Sequence, residues 1–466
     1  MKQQAFNPYL PSWEYIPDGE PHVFGDRLYV YGSHDFFNGC VFCMGDYMGW
    51  SAPLDDLSDW RCEGVIFPRD GDPVNADGHM CLYAPDVTRG PDGRYYLYYV
   101  YDKVGFVSVA VCDTPAGRYR FLGYVRHADG TRLGERAGDE PQFDPGVLTE
   151  GENTFLYTGF CGRGDKSRHG AMCTVLGPDM LTITEEPVFV APGSEYAAGT
   201  SFAEHPFFEA SSIRRRGDTY YFIYSSAVMH ELCWATASDP RGPFTCGGVI
   251  VSNCDLGIGG YKDPDMPVAY GGNNHGSIVR VGEQWYVFYH RQTNGTWFSR
   301  QGCAEPIFFD GDAIRQAEIT SCGLNGGPLR GEGDYPAYIA CHLFTEKPER
   351  YAGNPALPRI TQDGRDDDKI AGHVAAITDG TTIGMRDFDC RGVTGIRVET
   401  RAYCHGAFEV RAAFGGPVLG TIPVESSNVW VRGEAAMPVP DGVHGLWLTW
   451  RGTGTPQLRS VGFVKG

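Results

Sequence analysis

The sequence predicts an all-β protein: a five-bladed β-propeller over residues 1–325, followed by a jelly-roll-like β-sandwich over residues 337–466. Three observations lead there: a unit that recurs five times, a near absence of helical periodicity, and a composition rich in aromatic and turn residues. At roughly 150 residues per domain, 466 residues allow two or three domains with ample core. Glycine and proline make up 94 of them, below the share of an unpatterned low-complexity chain, and 61 aromatic side chains offer large apolar surfaces to bury.

Each recurring unit joins a polar head, a short apolar stretch, a turn containing Gly or Asp, and an aromatic pair. The heads are Asp18, Asp86, Asp144, Glu209 and His275, spaced 68, 58, 65 and 66 residues apart. From head to the aromatic of the second strand (Tyr29, Tyr96, Phe155, Tyr220, Tyr286) the offset is 11, 10, 11, 11 and 11 residues. β-Branched and aromatic residues flank turns such as GPDG and RRGD, which is the pattern of a β-hairpin. A hairpin alone is marginal, and about 65 residues have room for about four strands. Five four-stranded sheets around an axis would leave only short, protected edges.

In such a ring the first strand of every blade lines the axis, so the five heads converge at one end of a central funnel. Carboxyls gathered in a concave site lose solvation and repel one another, which drives their pKa values apart and separates acid from base. Acidic heads are also common as turn caps at a solvated rim. That reading suits any one of them, but not Asp18, Asp144 and Glu209 in matched register.

After CGLNGGPLRGEGDYP (322–336) the repeat stops, and the alternating strands GIRVETRAY, AFEVRAAF, TIPVE and GLWLTW predict the sandwich. The tail, with DGTTIGMRDFDCRGV and DGVHGLWLTWRG, resembles jelly-roll carbohydrate-binding modules, and that resemblance implies that Trp430, Trp447 and Trp450 could stack on sugar. Leu446, Leu448 and Trp450 alternate onto one face like core residues, which favours a sandwich that braces the propeller.

With 39 Lys+Arg against 58 Asp+Glu the formal charge is −19. Nucleic acid and anionic membrane surfaces are therefore poor partners. No segment reaches the roughly 20 apolar residues of a spanning helix, and MKQQAFNPYLPSW holds no signal-peptide core, so the expected location is cytoplasmic. Fifteen cysteines, an odd and scattered set, suit free thiols in a reducing compartment. Cys40 and Cys43 form one close pair, but no second Cys/His pair follows at zinc-site spacing and VFCM reads as a strand. HExxH, GxxxxGK[ST] and GxSxG motifs are absent, which leaves zincin, P-loop and nucleophile-elbow chemistry without an anchor.

From residue 7 to about 323 the chain resembles glycoside hydrolase family 43, the five-bladed propeller glycosidases that trim arabinose- and xylose-containing polymers. The resemblance rests on NPYLPSWEYIPDGEPHVFGDRLYVYGSHD, LYAPDV, FDPGVL, FFEASSIRRRGDTYYFIYSS, NNHGSIV and FSRQGCAEPIFF. It implies that Asp18 is the general base, Glu209 the general acid, and Asp144 a third carboxylate that raises the acid's pKa and orients it. Inversion needs these two carboxyls roughly 6.5–9.5 Å apart to admit a water. The resemblance further implies that His275 stands near a calcium or other ion on the axis, acting mainly through water because calcium prefers oxygen, and that Arg300 lies beside the base and the sugar, holding Asp18 ionised.

Asp86 reads as a pocket-lining residue, and Trp50, Tyr83, Phe208 and Trp297 as candidate sugar-stacking residues. Tyr83 stands where many relatives have tryptophan. His34, Asp35, His205 and Arg291 could reach the rim. The implied activity is that of an inverting exo-glycosidase releasing terminal α-L-arabinofuranosyl units from imported oligosaccharides, with β-xylosidase or β-D-galactofuranosidase as alternatives. The long inserts 63–80 and 191–207 suggest a closed pocket rather than an endo-acting cleft. A non-catalytic carbohydrate-binding propeller would require one of the three carboxylates to be missing or misplaced.

Overall fold

A computed structural model describes residues 3–258 and 265–466. The first blade is an antiparallel sheet of β1 (Glu20–Phe24), β2 (Arg27–Tyr31), β3 (Tyr47–Pro53) and β4 (Arg61–Phe67). The second contains β5 (Asp86–Arg89), β6 (Tyr95–Tyr99), β7 (Ser108–Cys112) and β8 (Arg120–Tyr124). The third contains β9 (Gly146–Glu150), β10 (Asn153–Thr158), β11 (Gly170–Leu176) and β12 (Ile183–Pro192), and the fourth β13 (Phe207–Arg216), β14 (Thr219–Ser226), β15 (Glu231–Ala237) and β16 (Thr245–Ser252). Tyr31, Tyr98 and Tyr157 are fully buried, as expected where aromatic strands pack face to face between blades.

The fifth sheet departs from the four-strand expectation. It has three strands, β17 (Ile278–Val281), β18 (Gln284–Arg291) and β19 (Gln301–Ile307). An open edge on β19 would be a pairing hazard, and the beginning of the chain covers it: Tyr9 N donates to Gly302 O (3.2 Å), Asn7 Nδ2 to Ala304 O (2.9 Å), and Ala304 N to Asn7 Oδ1 (3.0 Å). The inner strands close the ring. β1 lies beside β5 and β17, β9 beside β5 and β13, and Ser212 Oγ meets Ser277 Oγ at 2.7 Å across the remaining seam.

The carboxy-terminal part is a sandwich of two six-stranded sheets. One is built on Thr382–Asp389, Val443–Thr453, His405–Arg411 and Gly420–Val424, the other on Gln457–Lys465, Val393–Ala402 and Ser427–Ala436. Its first strands, Leu329–Arg330 and Gly333–Pro336, pair with 388–389 and 460–463, so much of the Gly/Pro-rich stretch 322–336 is sandwich edge rather than linker. Trp450 is fully buried against Phe408 in the core, and Trp447 is buried with its indole N–H donating to His342 Nδ1 (3.2 Å). The guanidiniums of Arg401 and Arg459 both lie over the ring of Trp430, 4.4 and 5.0 Å from its centroid.

Buried polar bonds tie the two parts together. His342 Nε2 bonds Asp255 Oδ2 (2.9 Å), and Arg291 Nη2 donates to Ala340 O and Cys341 O. Arg291 is therefore a buried tie between domains, not a rim residue. All fifteen cysteines are free, eleven of them buried. Among the described residues no helix is long and apolar enough to cross a membrane.

Candidate active site

At one end of the propeller axis lies a cavity of about 690 Å³, lined by Asp18, Asp144, Glu209, His275 and Arg300 together with the rings of Phe42, Tyr83, Phe143, Phe160, Phe208, Trp297 and Phe298. Local backbone explains how the acids get there. Asp18 and Asp144 each stand two residues before an inner strand with positive φ (56° and 44°), a conformation that Asp tolerates better than most residues. In the fourth blade the register slips on both sides of Glu209, and Ala210 takes φ 67°. This is a bulge that turns one carboxyl out of the ladder and into the funnel.

Asp18 is the ionised partner. Arg300 Nη1 donates to its Oδ1 at 2.8 Å. Burial by itself would raise this carboxyl, but the Arg300 guanidinium outweighs it, with His290 and His275 adding to the effect, and Asp18 is held well below the usual carboxylate range. Arg300 is itself fixed from behind: its Nε and Nη2 donate to Asp35 Oδ2 (2.8 Å) and Oδ1 (3.1 Å), while the Asp35 carboxylate also accepts Cys43 N (2.9 Å). Asp35 is thus not at the rim; it is the buried anchor of the arginine. Cys43 faces Arg300, with Sγ 3.3 Å from Nη2, and does not pair with Cys40. His290 Nδ1 lies 3.3 Å from Asp18 N and 3.2 Å from Asp18 Oδ1, and its Nε2 donates to Asn273 O (2.8 Å). Burial lowers its pKa.

Glu209 and Asp144 form the second half of the site. Burial first, then the neighbouring Asp144, raises the Glu209 carboxyl to about 8. Asp144 is raised as well, by burial and by Asp18, but less far: His275 opposes the rise, and Ala210 N donates to its Oδ2 (3.1 Å). The proton of this pair therefore rests on Glu209. His275 sits between carboxylates, Nδ1 at 3.7 Å from Asp144 Oδ2 and Nε2 at 3.8 Å from Glu20 Oε1. Burial disfavours its charged ring, but Glu20, Asp144 and Asp18 prevail and push it up to about 9.

Two expected substrate residues are elsewhere. Asp86 does not line the cavity. It pairs with Tyr98 where Glu20 pairs with Tyr31 and Gly146 with Tyr157, so it stands level with Glu20, two residues below the true head of the second blade, Ala84. There it accepts His22 Nε2 (2.6 Å) and Val147 N (2.8 Å). The head-to-aromatic offset of 10 combines this slip of two with a hairpin one residue longer than those of the first and third blades, so the offset by itself hides the slip. Trp50 is buried in the core between the first and fifth blades, near Trp13. His34 binds Glu14 and His205 binds Glu231, both outside the cavity lining. The inserts 63–80 and 191–207 contribute no lining residue either; Asp72 in the first accepts Tyr99 OH and Tyr124 OH, and Phe202 in the second packs into the core between the third and fourth blades.

Tyr83, Phe208 and Trp297 do line the cavity. Sequence reasoning missed Phe42, Phe143, Phe160 and Phe298 beside them. Phe143 directly precedes Asp144, and Phe42 adjoins Cys43, but neither carries a spacing signal.

The axis below His275 bears on calcium. Calcium takes six to eight oxygens. The acidic oxygens here are largely taken: Glu20 Oε2 by Arg214 Nη2 (2.6 Å) and Ser212 Oγ (3.0 Å), and Asp86 by His22, Val87 and Val147. Glu20 Oε1 is buried with no hydrogen-bond partner and faces His275. Glu20, His22 and Asp86 bring ligand atoms within 4.8 Å of one another, but the Arg214 guanidinium lies among them, 3.2 Å from His22 Nε2 and 4.0 Å from Asp86 Oδ2. A cation already occupies the place, so these residues do not fit a calcium cage.

Comparison with known proteins agrees with this architecture. The model for the glycosyl hydrolases family 43 matches residues 28–314. A protein named xylosidase/arabinosidase from Thermoclostridium stercorarium is 61% identical over 467 residues, covering 99% of both chains. Among solved structures, a family 43 arabinoxylan arabinofuranohydrolase from Bacillus subtilis, in complex with cellotetraose, aligns over 99% of this chain and 97% of its own with a TM-score of 0.53 at 21% identity. A β-xylosidase/α-arabinofuranosidase from a compost metagenome, with xylotriose and described as a calcium-free form, covers 66% of this chain and 96% of its own, with a TM-score of 0.51 at 24% identity.

Proposed function

Because this chain belongs to glycosyl hydrolase family 43, we propose that it is an inverting exo-glycosidase that releases single terminal pentose units, α-L-arabinofuranosyl first and β-D-xylosyl second, from oligosaccharides. One observation carries the reading: a single aromatic cavity holds a carboxylate kept ionised by Arg300 and a carboxyl kept protonated by burial and Asp144. Glu209 gives its proton to the glycosidic oxygen, while Asp18 takes one from a water attacking the anomeric carbon on the opposite face. Asp144 keeps Glu209 protonated until the leaving group needs the proton. The ring-rich wall suits the apolar faces of a sugar, and a cavity of about 690 Å³ suits the end of a short glycan. The name of the 61%-identical relative, xylosidase/arabinosidase, supports this pair of sugars.

The axial positive charge is supplied by Arg214 and His275 in place of calcium, each bound to Glu20. With fifteen free thiols, eleven of them buried, the chain suits a reducing compartment, which is the basis for proposing a cytoplasmic location. The test is a panel of arabinofuranosides, xylopyranosides and galactofuranosides with the parent, Glu209→Gln and Asp18→Asn, with NMR of the first-formed anomer. Loss of turnover in both variants and an inverted product are expected; equal turnover in all three proteins, or a retained anomer, would refute the mechanism.

A further inference from the structure

Among the described residues, Trp297 is the one cavity-lining aromatic whose ring is held by the other domain. It stands on the loop between β18 and β19, and its ring stacks on Tyr351 of the carboxy-terminal part, centroids 5.8 Å apart at an interplanar angle of 22°. Tyr351 belongs to a strap, residues 350–361, that lies along the propeller and is hydrogen-bonded to it. Gly271 N donates to Arg350 O (2.6 Å), Gly353 N to Gly295 O (2.9 Å), Ile360 N to Thr293 O (2.9 Å), and Tyr270 OH to Pro358 O (2.7 Å). Gly353, at φ 108°, lets the strap pass close to the indole: a Cβ there would lie 3.0 Å from Trp297 Nε1. Tyr351 itself remains 38% exposed, which a ring serving only the core would not be.

We propose that Tyr351 is a positioning residue for substrate: it holds Trp297 in the cavity wall so that the indole face receives the sugar ring on the leaving-group side of the scissile bond. The sandwich thereby completes a binding position without binding polysaccharide on a surface of its own. Sugar rings present polarised C–H groups that suit the negative face of an aromatic ring, and a stacked, immobile indole has less freedom to lose on binding than a loose one. The inference rests on the glycosidase reading above.

Its test compares two substrates that share a terminal arabinofuranose, one linked to methanol and one linked to xylotriose. In Tyr351→Ala the KM for the xylotriose conjugate should rise about tenfold with kcat within twofold, while the methyl glycoside kinetics stay within twofold of parent. Tyr351→Phe, which keeps the ring, should restore the parent KM. Trp297→Ala should raise the KM for the conjugate at least as much, and adding Tyr351→Ala to it should change nothing further, because the two side chains act as a unit. A defect equal on both substrates, or an unchanged KM for the conjugate in a folded Tyr351→Ala, would overturn the proposal while leaving the glycosidase reading intact. A parent that hydrolyses neither these substrates nor their counterparts with a terminal xylopyranose would overturn both.

Discussion

Replacing Asp144 with Asn keeps the size and much of the hydrogen bonding of the side chain but removes the charge next to Glu209. The Glu209 carboxyl stands at about 8 rather than 4.5, with burial the first cause and Asp144 the second. Asp144 gives up its proton first, since the Ala210 N–H and His275 favour its anion, so it is charged over the range where Glu209 titrates. Two carboxylates about 5–8 Å apart, at an effective dielectric of about 20, repel by about 2–3 kcal/mol, which moves a pKa by about 1.5–2.5. In Asp144→Asn the Glu209 pKa should therefore fall from about 8 to about 6. At pH 7.5 the protonated fraction of the acid would drop from about three quarters to about 3%. The assay is kcat/KM for an oligosaccharide, whose poor leaving group needs the acid, measured from pH 5 to 9; this ratio reports the free enzyme's pKa values. The alkaline limb should move down by about two pH units, and at pH 7.5 the variant should lose about 30-fold relative to its own low-pH plateau. An alkaline limb that stays where the parent's lies, or moves up, would refute the assignment of Asp144 as the group that keeps Glu209 protonated.

Two further outcomes follow from the same arrangement. Arg300→Met leaves Asp18 and Asp35 buried without their cation. Stability should fall by about 3–5 kcal/mol in urea titration. Asp18, no longer held low, should bring the acid limb of kcat/KM up to higher pH, and an unmoved limb would remove Arg300 from its role. In the parent this depressed carboxyl contributes stability above its unfolded value of about 3.9, lost only as pH falls through the lower folded value. Dialysis against a chelator should leave both melting temperature and kcat unchanged, because Arg214 and His275 occupy the cation's place on the axis. A drop in both that added calcium restores would overturn that view.

Whatever depends on residues near one another in the chain is legible in the amino-acid sequence. The hairpin repeat, the step from propeller to sandwich, and the convergence of Asp18, Asp144, Glu209 and His275 follow from strand alternation and constant spacing, since the first strand of every blade must face the axis. The misplacement of Asp86 shows the limit of that logic: a slip of two positions moves a carboxyl from the cavity wall to the axis below, and the strand pairing alone reveals it. The groups that set the chemistry are hidden for a different reason. Asp35 and Arg300 are 265 positions apart, Asp18 and His290 272, Glu20 and Arg214 194.

By itself the amino-acid order determined which strands form and which acids begin them, because pleating and turns are decided by neighbours. Only the closed wheel, with its start laid on the edge of its last blade and its sandwich packed against the Trp297 loop, decided which acid keeps a proton, which loses it, and which ring lines the cavity. Those outcomes depend on burial and on charges brought together from distant parts of the chain.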